Sequence, residues 1–329
     1  MKAFDYAEPR TEAEVVSLLE QHAGRAEVLA GGTDLVGLMK KMIATPDLVV
    51  NIMEVPSLQT IEATADGGVA IGAALTLDEI LAHPYLEGYG AVSDAILGIN
   101  SMQLQAQGTL GGEICQRPRC WFYRDGKGLL DHDGQVRDGD NRFHAILGNV
   151  GPAKYVASSR IAPALIALDA RLRVIGPAGE EQLLRIADFF VTPHQDGQRE
   201  TVLAPSQLLT HVVLPPAAGQ LNATYEVRHG EGPEPPLASA AVSLQLDDSG
   251  RVEDAMVVMG QVAPTPWISA ESAHLLIGST ISEDLADEAG LAAVSKATPL
   301  SENEYKVQLA RVAVKRAILR AAGYETGGF

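Results

Sequence analysis

Thr11-Glu12-Ala13-Glu14 stands in front of Val15, Val16, Leu18 and Leu19, a capping box followed by apolar positions, and predicts a helix over about 11–22 that Gly24 stops. The short run 27–30 reads as a strand. Leu35, Leu38, Met39 and Met42 recur at helical spacing over 34–43, and Asp47-Leu48-Val49-Val50-Asn51-Ile52 reads as a second strand. Strand, helix and strand make a small βαβ unit whose first strand ends in Gly31-Gly32. From Ile61 the pattern changes to short strands with glycine turns. Thr76-Leu77-Asp78-Glu79 is a second capping box, opening a helix that ends before Pro84, and a further helix is predicted over 89–97. Residues 100–107 form a polar, irregular lead into a second glycine turn, Gly108-Thr109-Leu110-Gly111-Gly112.

The stretch 117–141 is charged and glycine-rich, a long loop anchored at its start by Trp121, Phe122 and Tyr123. Pattern resumes with a helix over 160–168 and a strand over 171–175. A boundary is placed at Pro177-Ala178-Gly179, which divides the chain into 1–177, with subdomains of about 1–57 and 58–177, and a C-terminal lobe, 178–329. The lobe is expected to hold strands near 208–214, 239–246 and 251–259, the last two joined by Asp247-Asp248-Ser249-Gly250. Helices follow over about 268–277, 282–296 and 303–321.

Composition narrows the partners. A net charge of −17 opposes nucleic acid and anionic membranes, both of which need a positive surface. No apolar run approaches a membrane span, and the first residues carry no signal-peptide core, so the expected address is the cytoplasm, with export alongside a signal-bearing partner left open. Two cysteines, Cys115 and Cys120, are too few for a disulfide scaffold.

The chemistry is carried by the glycine turns. Leu29-Ala30-Gly31-Gly32-Thr33-Asp34-Leu35 is a strand end that reopens as a helix, where unpaired N–H groups and the helix dipole suit an anion, above all a phosphate. Thr33 or Asp34 is placed to cap that helix. The second turn offers donors of the same kind. Either turn alone is equally an ordinary strand-to-helix connection, and neither matches the dinucleotide or Walker glycine patterns. Together they fit a ligand with two phosphates held between two lobes.

The two turns, in this order and spacing, resemble the FAD-binding (medium) subunit of the molybdenum hydroxylase and xanthine dehydrogenase family. The likeness continues through Ala162-Pro163-Ala164-Leu165-Ile166-Ala167-Leu168-Asp169-Ala170, Pro236-Leu237-Ala238-Ser239, Gly260-Gln261-Val262-Ala263-Pro264-Thr265-Pro266-Trp267 and Pro299-Leu300-Ser301-Glu302-Asn303-Glu304-Tyr305-Lys306-Val307. It implies an α+β, PCMH-type (vanillyl-alcohol-oxidase-like) FAD-binding fold of two subdomains, followed by a lobe of the CO dehydrogenase flavoprotein type. By the same resemblance, Leu29, Ala30, Gly31, Gly32, Thr33, Asp34 and Leu35 would hold the FAD diphosphate from one side, and Gly108, Thr109, Leu110, Gly111 and Gly112 from the other. Leu208 would approach the flavin from the C-terminal lobe. The implied role is electron transfer within a heterotrimer, or its dimer, containing a [2Fe-2S] iron-sulfur subunit and a molybdopterin-binding subunit; no catalytic acid, base or metal ligand is assigned here. A stand-alone FAD-dependent oxidoreductase and a flavin-free scaffold are the competing classes.

Two positions depart from the family. Glu113 stands where the second motif usually has Asn, and Ser159-Arg160 where Ser-Asp is usual. Cys115 and Cys120 resemble two of four cluster cysteines in the branch of 4-hydroxybenzoyl-CoA reductase and periplasmic aldehyde oxidoreductase. The following loop supplies no more thiols, so a four-thiolate cluster is not expected. Arg117, Arg119 and Arg124 are expected at the surface, paired with carboxylates of their own loop.

Overall fold

The computed structural model describes residues 1–22, 24–217 and 219–327. Its first unit comprises β1 (Asp5–Ala7), α1 (Glu12–Gln21), β2 (Ala26–Leu29), α2 (Leu35–Lys40) and β3 (Leu48–Asn51). The capping box forms: the Glu14 amide donates to Thr11 Oγ1, and the Glu14 carboxylate accepts from the Thr11 amide. The strands pair in parallel in the order β1-β3-β2. Val15, Val16 and Leu19 of α1 close the sheet against Leu48 and Val50.

The second unit begins with β4 (Ile61–Ala63), β5 (Val69–Gly72), α3 (Leu77–Leu81), α4 (Gly90–Gly98), α5 (Met102–Gln107) and α6 (Leu110–Cys115). It continues through α7 (Trp121–Arg124), α8 (Ala162–Ala167), β6 (Arg171–Ile175), β7 (Glu181–Arg185) and β8 (Leu208–Leu214). Residues 102–107, expected to be irregular, are helical: Ser101 caps them by accepting from the Leu104 amide, and no α5 side chain is buried, so no apolar stripe betrays the helix. The sheet runs β4-β5-β8-β6-β7, antiparallel throughout. The expected boundary at 177 falls inside this sheet. β7 and β8 follow it in sequence, yet β7 pairs with β6, and β8 is the central strand rather than part of the C-terminal lobe. Its Leu209, Val212 and Leu214 join Ile71 and Leu172 in one core, which holds it there.

β9 (Gln220–Val227), β10 (Ala238–Leu246), β11 (Val252–Gly260), β12 (Trp267–Ile268), α9 (Ala270–Leu276), α10 (Glu283–Ala293) and α11 (Tyr305–Ala321) form the third unit. Its antiparallel sheet runs β12-β11-β10-β9. α11, with Ala310, Ala313 and Ala317, packs on one face of the sheet, and α10, with Ala286, Ala289 and Ala293, packs against α11 in the same core. Ala241 and Val258 point from the other face into the core of the second unit, so β10 is buried on both sides. Buried Lys306 fastens α11 to two distant loops, its Nζ donating to the carbonyls of Phe143 at 3.1 Å and His144 at 3.0 Å, between α7 and α8, and of Gln261 at 2.8 Å, just after β11. Among the described residues no helix is long and apolar enough to cross a membrane.

Candidate functional site

The two glycine turns touch. The Gln107 side-chain amide donates to Gly31 O at 3.1 Å, and a Cβ on Gly31 would lie 1.6 Å from Gln107 O, so only glycine permits this approach. Gly32 has φ +72°, the left-handed region that glycine occupies without strain. Chain from residues 31 and 107, far apart in sequence, thus meets at one point between the first and second units.

The turns differ in what they leave unpaired. Among the described residues the amides of Gly31, Gly32, Thr33, Asp34 and Leu35 make no hydrogen bond, so this turn presents a row of open donors. The second turn spends its own: Leu110 N donates to Leu75 O at 3.0 Å, Gly111 N to Ala73 O at 2.8 Å, and Gly112 N to Thr109 Oγ1 at 3.2 Å. The expectation that both turns offer equivalent main-chain donors therefore holds for one of them. Gly111 matters for packing, because a Cβ there would lie 2.8 Å from Ala73 Cβ. The Thr109 hydroxyl accepts from Gly112 and keeps its own proton to donate.

A cleft of about 230 Å³ opens between these turns. Ala30, Gly31, Gly32, Thr33, Asp34, Leu35, Thr109, Gly111, Gly112 and Leu208 line it. Leu29, Gly108 and Leu110 do not line it: Leu110 is wholly buried in the core of the second unit, Gly108 O accepts from Leu77 N, and Leu29 ends β2. Leu208 reaches the cleft from the start of β8, in the second unit and not in the C-terminal lobe.

Asp34 does not cap α2. Its Oδ2 accepts from the Arg117 amide at 2.9 Å, and Oδ1 lies 2.7 Å from an Arg124 nitrogen. The Arg117 guanidinium donates to Glu200 and lies 5.2 Å from the centre of the Tyr123 ring. Arg117 and Arg124 thus pair with carboxylates from outside their loop and are largely buried, contrary to the surface pairing expected for them. Arg117, Arg199 and Glu200 line the cleft, and sequence reasoning did not nominate them for it. Residues 193–201 have no helical or strand periodicity and no motif, so no local signal marked Arg199 or Glu200.

Glu113 and Arg160 turn out to be partners. The Arg160 amide donates to Glu113 Oε1 at 2.7 Å, while the Arg160 guanidinium turns to Glu226, with Nε to Oε1 at 2.9 Å and Nη2 to Oε2 at 2.5 Å. Glu113 lines a smaller cavity of about 80 Å³ that shares Thr33, Thr109 and Gln116 with the cleft. Burial pushes its carboxyl up to about 7, against the opposing pull of the Arg160 amide.

The two cysteines face different cavities. Cys115 lines the cleft, and burial pushes its thiol up to about 12. Cys120 lines a cavity beside Asp131 and His132, with its Sγ 3.1 Å from His144 Nε2. Burial holds the His144 imidazole down at about 4, so this contact is to a neutral ring.

Comparison with known proteins matches this architecture. Residues 2–217 fit the FAD binding domain in molybdopterin dehydrogenase, and residues 223–321 the CO dehydrogenase flavoprotein C-terminal domain. The chain is 34% identical to the aldehyde oxidoreductase FAD-binding subunit PaoB of Escherichia coli, over 94% of this chain and 96% of that one. It is 26% identical to the carbon monoxide dehydrogenase medium chain of Afipia carboxidovorans, over 97% and 96%. In fold it resembles the reconstituted CO dehydrogenase from Oligotropha carboxidovorans, with TM-score 0.77, 23% identity and coverage of 98% and 99%. Quinoline 2-oxidoreductase from Pseudomonas putida 86 gives TM-score 0.76 at 21% identity, covering 98% of each chain. The chain belongs to the FAD-binding subunits of the molybdenum hydroxylase family.

Proposed function

We propose that this chain holds FAD across the cleft, with the diphosphate on the open amides of Gly31, Gly32, Thr33 and Asp34 and the Thr109 hydroxyl opposite. The observation that carries the reading is that row of unpaired donors at the point where the glycine turns meet. Ala30, Leu35, Gly111, Gly112 and Leu208 complete the walls. The FAD-holding part of the chain then runs through β8 to about 217, and the CO dehydrogenase flavoprotein-like lobe follows it, a division supported by the sheet pairing and the two matched ranges.

When bound, FAD supplies the exchange between one-electron and two-electron carriers. The chain's own residues bind, orient and shield it. In this reading the substrate is oxidised on a molybdopterin-binding subunit, and a [2Fe-2S] subunit delivers the electrons here for an external acceptor, as the likeness to subunits of such complexes supports. The assembly is a heterotrimer or its dimer, placed in the cytoplasm, a reducing compartment in keeping with two free thiols.

The test is purification of the chain alone and with its complex. Flavin maxima near roughly 370 and 450 nm and release of FAD on denaturation are expected of the chain. Co-purification with an iron-sulfur and a molybdenum subunit is expected of the complex. A colourless chain that takes up no added FAD would falsify the reading.

A further inference from the structure

Of the residues that line the cleft, two are cationic, Arg117 and Arg199, and they stand in opposite states. Arg117 is committed: its guanidinium donates to Glu200, lies against the Tyr123 ring and is 19% exposed. Arg199 is 46% exposed, and among the described residues its guanidinium makes no hydrogen bond and a single ion pair, to Glu27 at 3.8 Å. An exposed pair at that distance contributes little to the fold and is easily exchanged. The base of the side chain is nevertheless fixed. The neighbouring Glu200 carbonyl accepts from the Val191 amide at 3.0 Å, and the Glu200 side chain is held on Arg117. Glu27 belongs to β2, which runs into the first glycine turn. On the other side, burial raises the Cys115 thiol while the charge of Arg199 pulls it down, and Cys115 ends α6, the helix of the second turn. The open guanidinium therefore stands between the two elements that carry the turns.

A diphosphate brings negative charge to a chain whose net charge is already −17. The open amides of Gly31 to Asp34 supply hydrogen bonds and partial charge but no formal charge. Three carboxylates share the cleft, and those of Asp34 and Glu200 are already matched by Arg124 and Arg117. Arg199 is thus the lining cation that can turn to a ligand. We propose, resting on the FAD reading above, that Arg199 leaves Glu27 when the cofactor enters and clamps its diphosphate against the open amides of the first turn. A guanidinium offers a planar fork of donors to two phosphate oxygens at once, a stronger pairing than the long contact to Glu27. Glu27, at the cleft edge, is left to water.

The experiment titrates flavin-depleted wild-type chain, Arg199→Gln and Arg199→Lys with FAD, ADP and adenosine by calorimetry. Arg199→Gln should weaken FAD and ADP by about 10- to 100-fold and leave adenosine, which has no phosphate, unchanged. Arg199→Lys keeps the charge without the fork and should recover part of the loss, and added salt should narrow the gap between wild type and Arg199→Gln. A measurement on wild type alone removes any dependence on how the variants fold. Phenylglyoxal, which labels accessible guanidinium groups, should modify Arg199 in the flavin-depleted chain, and ADP but not adenosine should protect it, as read by peptide mass. If Arg199→Gln binds FAD and ADP as wild type does, if it loses adenosine as strongly as ADP, or if ADP leaves the labelling of Arg199 unchanged, the inference is overturned while the FAD reading stands. If wild type takes up no FAD, that reading fails and takes the inference with it.

Discussion

The main-chain amide of Arg160 donates to the Glu113 carboxylate at 2.7 Å, joining the two positions at which this chain departs from its family. A carboxylate introduced beside a phosphate seat would be unfavourable unless it met a donor, and Arg160 provides one from its backbone while its side chain engages Glu226. The two departures form a single arrangement.

Glu113 makes stability pH-dependent. Its carboxyl is raised to about 7 in the fold, above the ordinary glutamate value, so the folded chain binds the extra proton and the contribution is complete below about pH 4. It is lost as pH rises through 7. Glu113→Gln, which stays neutral, should therefore gain on the order of 1–3 kcal/mol over wild type between pH 5 and pH 8. Urea unfolding at both pH values measures this, and parallel behaviour of the two proteins would count against it.

Gly31→Ala should separate the glycine turns. The new Cβ meets a backbone oxygen at 1.6 Å, which no side-chain rearrangement can relieve. A loss of about 1–3 kcal/mol is expected from overpacking, together with at least tenfold weaker FAD retention. Gly37→Ala is the control. Nothing lies within 4 Å of its Cβ and it sits inside α2, so a gain of about 0.5–1 kcal/mol is expected. Flavin absorbance per chain, read beside unfolding midpoints, distinguishes the two outcomes.

Glu226→Gln should be far more damaging than a surface change. Arg160 and Glu226 are 5% and 4% exposed as side chains, and removing one charge leaves the other buried. A loss of about 3–5 kcal/mol is expected, whereas replacing both with apolar residues of similar volume should recover most of it. Equal losses for the single and double variants in chemical denaturation would refute this.

Lys306→Met tests the attachment of α11. Three carbonyls accept from Nζ, and each would be left buried without that donor. About 2–4 kcal/mol of stability should go, with hydrogen exchange rising first around 143–145, where the loop would come free of the helix.

What lay in the sequence was local. Capping boxes at Thr11 and Thr76, the βαβ run, and the paired glycine motifs followed from spacing and backbone freedom, which neighbouring residues determine by themselves. What tertiary structure decided was partnership at long range. β8 is the centre of the second sheet although it lies some thirty residues beyond the expected boundary, because a strand chooses partners by the core it completes and not by its own pattern. The amides of Gly111 and Gly112 look in sequence like those of Gly31 and Gly32, yet Ala73 and Thr109 take them. Glu200 and Arg117 met for the same reason: a buried charge must find its counterpart in space, and no periodicity records where that counterpart will be.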